Sequence, residues 1–232
     1  SLGVMAFPRL SERYGNAGKA EKLKEFICIP TIILAYAMPV LLGIIYLCLP
    51  TAVKLFVPQY LPGINAGRIS LLGIMFFSVS IFAQKFLIAV NRQLHCLLII
   101  LSALLLKIAL IYIFIMQQSG INGIVIAANI IYFIYSTFII MFAAHHYKEG
   151  FLESLKYLIR IYLPFLYLLL ILFCFGYLKS LPFFDAGNKI THLSIYFTIL
   201  IIFVIMPFGF IIKIILSHYL DLGIFKNKNY FC

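Results

Sequence analysis

The sequence predicts an all-α fold: a polytopic membrane bundle of about six transmembrane helices. Three observations carry that expectation. The 232 residues are 64% hydrophobic and only 11% charged, with a mean hydropathy of +1.10, which excludes a disordered chain or an ordinary soluble domain. The apolar residues fall in runs long enough to cross a hydrocarbon core of about 30 Å, which takes roughly 20 helical residues. The cations lie mainly in the short loops between those runs, so the surplus of 18 Lys and Arg over 7 Asp and Glu reads as membrane topology and not as a nucleic-acid surface.

The clearest pair of runs is 95–116 and 120–142, joined by a short polar turn, QQSG. This is an antiparallel hairpin of spans. Lys107 stands in the middle of the first run, roughly 18 Å from its start at 1.5 Å per residue. A cation at that depth costs at least a few kcal/mol in lipid, so Lys107 is expected to face a bundle interior or a wet cavity. It is a candidate substrate contact; the alternative is a structural partner such as a carbonyl or an acid.

Taken in order, residues 1–25 read as the end of a helix followed by a basic loop with Arg9, Arg13, Lys19, Lys22 and Lys24. The chain opens on Ser1 without a signal peptide, and is expected to be the C-terminal part of a longer membrane protein. The first full span is expected over 26–49. Pro30 and Pro39 interrupt it, either as packing kinks whose freed carbonyls find other donors or as hinges for gating. Residues 50–67 form a Pro- and Gly-rich connection whose VKLFVPQY segment is apolar enough to lie in the membrane interface. The second span, 68–90, carries Ser80 and Gln84 on one face. Lys85 is near enough to its end to snorkel, with a cavity role as the alternative; Arg68 opens the span.

The third and fourth spans are the hairpin. Along the fourth, Asn122, Asn129 and Ser136 recur at seven-residue spacing, a polar stripe that serves as interhelical glue or lines a cavity. Gly123, Ala127 and Ala128 suit close helix approach. Residues 143–157 read as a polar loop; His145 and His146 lack further ligands at metal spacing. A fifth span is expected over 158–178 and a sixth over 193–218, broken near Pro207. The organisation is thus a loop region (1–25), four spans (26–147), and two further spans with a tail (148–232). The cysteines Cys28, Cys48, Cys96, Cys174 and Cys232 form no metal-type pairs. No metal, cofactor or nucleic-acid partner is expected, and membrane lipid is.

Of the 18 Lys and Arg, thirteen fall on the side of the first loop, four on the other, and Lys107 between them. The positive-inside rule then makes the first loop and the C-terminus cytoplasmic.

Several segments together resemble one family. VMAFPRLSERYGNAGKAEKLKE resembles the segment after the eighth span of polysaccharide flippases, in the superfamily that includes multidrug and toxin extrusion transporters and lipid II flippases. The family's Pro-Arg-Leu-Ser is matched by Pro8, Arg9, Leu10 and Ser11. Its mid-span proline matches Pro39, and the proline and LF segment that follow match Pro50, Leu55 and Phe56. Its small-residue opening of a later span is similar to SGINGIVIAANI, at Gly120, Gly123 and Ala127. There Ser119 replaces the family's tyrosine and Ile124–Val125 its small pair. The resemblance covers about residues 1–147, and the last two spans more loosely.

That resemblance implies spans nine to fourteen of a two-lobed transporter in a bacterial inner membrane, whose N-terminal lobe is the missing partner. It implies alternating access and an undecaprenyl-pyrophosphate-linked oligosaccharide as substrate, as in O-antigen or capsule biosynthesis. A diphosphate calls for cations, available at Lys107, Arg68 and Lys85. Sugar hydroxyls call for amides and hydroxyls, available at Gln84, Asn129, Tyr132 and Ser136. Hinges are implied at Pro30, Pro39 and Pro207. No nucleotide-binding loop occurs, so ATP is not expected to be consumed. The alternatives are a cation-coupled drug exporter, which calls for acids in the cavity, and a membrane-embedded polysaccharide enzyme, which calls for an embedded His or acid.

Overall fold

The computed structural model of the chain describes residues 24–147, 150–179 and Gly209. Of these, 94% are helical and none lies in a strand. Without water to serve backbone groups in lipid, a helix that satisfies its own N–H and C=O groups is the stable form of each apolar run. The order is α1 (Lys24–Phe56), a 3-10 turn (Pro58–Gly63), α2 (Ile64–Ala89), α3 (Gln93–Met116), α4 (Gly120–Tyr147) and α5 (Phe151–Lys179). Five helical segments are long and apolar enough to cross a membrane. The chain is an all-α polytopic membrane bundle. The expected sixth span with Pro207, and the loop with Pro8, Arg9, Leu10 and Ser11, lie outside the described residues.

Helix limits differ from the sequence expectation mainly by extension. α1 runs without interruption through Pro30, Pro39 and Pro50 to Phe56, where a connection was expected from residue 50. A proline removes one N–H and orphans the carbonyl four residues earlier. For Pro50 that carbonyl belongs to Tyr46, and Arg68 Nε of α2 donates to it at 3.4 Å. The neighbouring helix thus replaces the bond that the proline deletes. α4 continues to Tyr147, so His145 and His146 lie on a helix and not in a loop. His146 Nδ1 stands 2.9 Å from the Phe142 carbonyl one turn back. α5 starts at Phe151 and includes Glu153 and Lys156. Polar residues end the apolar run without ending the helix, because helix persists readily into the interfacial layer.

Two turns are made by the same device. After α2, Asn91 takes a left-handed conformation, φ 59°. Its N–H reaches Ile88 O, and the next N–H, of Arg92, reaches Leu87 O. After α3, Gln118 is left-handed at φ 54°, with its N–H on Ile115 O and that of Ser119 on Phe114 O. Both are Schellman closures, which satisfy the last carbonyls of a helix. Gly120 follows at φ 61°, a conformation costly for any residue with a Cβ. Gly123 is close to Ser119 and to Phe114 Cδ1, which a Cβ would meet at 3.0 Å.

α2 and α4 form the most extensive helix pair; α1 packs on α2 and α5, and α3 packs chiefly on α4. Small residues allow the α2–α4 approach: Ala66 and Gly73 on one side and Ala127 on the other are buried. The core gathers Ile27, Ile32, Met75, Phe86, Ile139 and Leu168 from α1, α2, α4 and α5. Phe76 is edge-on to Phe133, Tyr162 and Phe165, tying α2, α4 and α5 together. α3 buries only Cys96 and turns most of its leucines outward. Those leucines suit a lipid-facing helix, because lipid tails are as apolar as leucine.

Candidate functional site

Lys107 lies about 21 Å along α3, near the middle of a helix about 36 Å long by rise per residue. It is half-buried and reaches α4. Its Nζ donates to the Tyr132 hydroxyl at 3.2 Å and lies 4.8 Å from the centre of the same ring. The ammonium therefore sits toward the hydroxyl end of the aromatic face. Such contacts hold a cation by the ring's quadrupole and gain strength where water is excluded. From Phe26 to Lys148 the sequence holds no Asp or Glu, so the segment that presents Lys107 supplies no carboxylate to it.

Tyr132 is placed by α2. Its ring is tilted against Phe77 with centroids 6.0 Å apart, and its edge lies beside Gly73. Three residues before Tyr132, Asn129 Nδ2 donates to the Ile69 carbonyl of α2. Gly73 is what admits both side chains. A Cβ there would overlap Asn129 Oδ1, come within 2.7 Å of Asn129 Cγ and lie 3.2 Å from Tyr132 Cδ2.

The structure brings three of the seven residues proposed from sequence into one place: Lys107, Tyr132 and Asn129. The other four lie elsewhere. Arg68 points to α1, where its guanidinium lies over the Tyr46 ring at 4.8 Å. Gln84 and Lys85 sit about 17–18 Å along α2 from the level of Gly73, where both lie near the Cys96 side chain at the start of α3. Ser136 is fully buried and shares a hydrogen bond with the Tyr162 hydroxyl of α5. That hydroxyl also meets Thr137 Oγ1 at 3.0 Å. Of the asparagine stripe, Asn122 is exposed. The residues of the site that sequence reasoning missed are Gly73 and Phe77. A mid-span glycine was the available signal for Gly73, since small residues mark close helix contacts; nothing singled out Phe77 among 23 Phe.

Among the described residues no group of three or more His, Cys, Asp or Glu could hold a metal ion. At the α3–α4 end, His95 stacks on Phe142 at 5.5 Å, and His146 meets the same ring edge-on at 5.0 Å; the imidazoles serve packing there. Among the described residues, fold and site define a polytopic α-helical membrane bundle with a cation, Lys107, at mid-depth beside an aromatic ring. Neither the protein-family models, the curated proteins nor the solved structures contain a match to this chain.

Proposed function

We propose that this chain is part of a flippase that moves an undecaprenyl-pyrophosphate-linked oligosaccharide across the bacterial inner membrane by alternating access. Its first loop and C-terminus are cytoplasmic in this reading. The carrying observation is Lys107. It is a cationic side chain at mid-depth whose partner is a neutral tyrosine, in a stretch of sequence without acids. A phosphate is a stronger partner for an ammonium than a phenol is, because the hydrogen bond is then charged on both sides. A passing diphosphate would draw Nζ from Tyr132, and Tyr132 would take it back after release. Asn129, one turn away, braces Tyr132 by engaging α2 through Ile69 O and Gly73.

The reading is tested in the complete transporter, in cells that depend on it for surface polysaccharide. Lys107→Ala and Lys107→Glu are expected to abolish surface polysaccharide while the protein stays in the membrane at normal abundance. Lys107→Arg is expected to retain part of it, since it keeps the charge. Normal polysaccharide in both the Ala and Glu variants would refute the cation site. A cation-coupled drug exporter is the second reading. It would be favoured if Lys107→Glu left export of a cationic dye intact or improved it.

A further inference from the structure

The connection between α1 and α2 carries a strongly exposed apolar cluster. Leu55 is 73% exposed and Phe56 82%, followed by Tyr60 at 64%. Leu61 is exposed as well, and no residue of the 3-10 turn is buried. Lys54, exposed, stands beside them. Arg68 is held on α1 by its Nε on Tyr46 O and by the ring beneath it, which ties the start of α2 to the end of α1.

Distances along the helices locate this cluster. Gly73 is level with Tyr132 and hence with Lys107. Arg68 lies about 7.5 Å along α2 from Gly73, and Phe56 lies about 15 Å along α1 beyond Tyr46, the partner of Arg68. Phe56 is therefore about 22 Å from the level of Lys107, whereas half a hydrocarbon core is about 15 Å and half a whole bilayer about 20–22 Å. The apolar cluster thus falls at headgroup level, beyond the hydrocarbon that makes exposure of α3 harmless. Aromatic and aliphatic side chains flanked by a lysine are a composition that binds there. No acid lies near them in sequence to compete for Lys54.

We propose that residues 53–63 are a membrane anchor that seats Leu55, Phe56, Tyr60 and Leu61 among the lipid headgroups and holds anionic phospholipid through Lys54. Proline at 58 and 62 removes two N–H groups from the turn, which lowers the cost of placing its backbone in a layer with little free water. The anchor holds the α1–α2 end at fixed depth. It is a property of the bundle independent of what Lys107 binds.

The chain contains no Trp, so a single introduced Trp reports cleanly. Phe56→Trp and Tyr60→Trp are made in the full-length protein, with Leu105→Trp on the outward face of α3 as the deep reference; any native Trp outside these 232 residues is first replaced. Each is reconstituted in vesicles containing phosphatidylcholine brominated at shallow or deep acyl positions. Fluorescence of the Phe56→Trp and Tyr60→Trp variants is expected to be quenched at least about twofold more by shallow than by deep bromines, and that of the Leu105→Trp variant the reverse. Quenching of the Phe56→Trp variant by aqueous iodide without quenching by lipid would overturn the anchor. Shielding from both would overturn it too, by showing that protein covers the cluster.

For the charge component, brominated phosphatidylglycerol is compared with brominated phosphatidylcholine. The Phe56→Trp variant is expected to be quenched about twofold more by the anionic lipid, and adding Lys54→Gln is expected to bring the ratio near one. A ratio of one before that second substitution would overturn the anionic-lipid assignment. Lys54 is exposed, so its replacement does not threaten the fold.

Discussion

Replacing Gly73 with alanine places a Cβ on Asn129. The new atom would overlap Asn129 Oδ1 and sit 2.7 Å from Asn129 Cγ, so Asn129 must leave its place and give up the Ile69 carbonyl. Overpacking a tight contact costs about 1–3 kcal/mol. Interhelical hydrogen bonds in membranes average about 0.6 kcal/mol. Alanine returns up to about 1 kcal/mol in helix preference over glycine. The net expectation for Gly73→Ala is a loss of about 1–3 kcal/mol. Asn129→Ala alone should cost under about 1 kcal/mol, because the Ile69 carbonyl keeps its own helical bond. The double variant is the decisive one. With Asn129 truncated the added methyl has room, leaving only the milder 3.2 Å approach to Tyr132 Cδ2. Gly73→Ala should then be neutral or stabilising, giving a coupling of about 1–3 kcal/mol. Unfolding free energies from steric trapping in bicelles, or from SDS titration in mixed micelles followed by circular dichroism, complete the cycle. Additivity within about 0.5 kcal/mol would refute the steric account and make the close α2–α4 approach tolerant of a side chain.

Other substitutions probe separate contacts. Tyr132→Phe removes the hydroxyl that accepts from Lys107 but keeps the ring beside the ammonium; stability should fall by less than about 1 kcal/mol, read from the same unfolding titrations. Arg68→Ala should cost more in the native sequence than beside Pro50→Ala, because alanine at 50 returns an N–H to the Tyr46 carbonyl; equal costs in the two backgrounds would show that Arg68 does not replace the lost bond. Tyr162→Phe removes bonds to Ser136 and Thr137 while preserving the edge contacts with Phe76, and should cost about 0.6–1.7 kcal/mol. Tyr162→Leu should add a further 0.5–1.5 kcal/mol or so by deleting the aromatic pairs, read from the same unfolding titrations.

The class of fold and the existence of five spans are written in the linear sequence, because in lipid each apolar run must satisfy its own backbone and does so alone. The depth of Lys107 is equally local, a count of residues along one helix. What a side chain meets across a helix boundary is not local. Ser136 and Asn129 share a stripe in sequence, yet one reaches Tyr162 on α5 and the other Ile69 on α2, because a 3.6-residue period sets a face but not which neighbour covers it. Pro50 reads as a helix end until Arg68, further along the chain, supplies the missing donor. Gly73 means nothing by itself and acquires its role from the asparagine that occupies its empty side. Periodicity and depth are properties of one helix; partners are properties of the packing between helices, and packing is what places Tyr132, and neither Arg68 nor Lys85, beside Lys107.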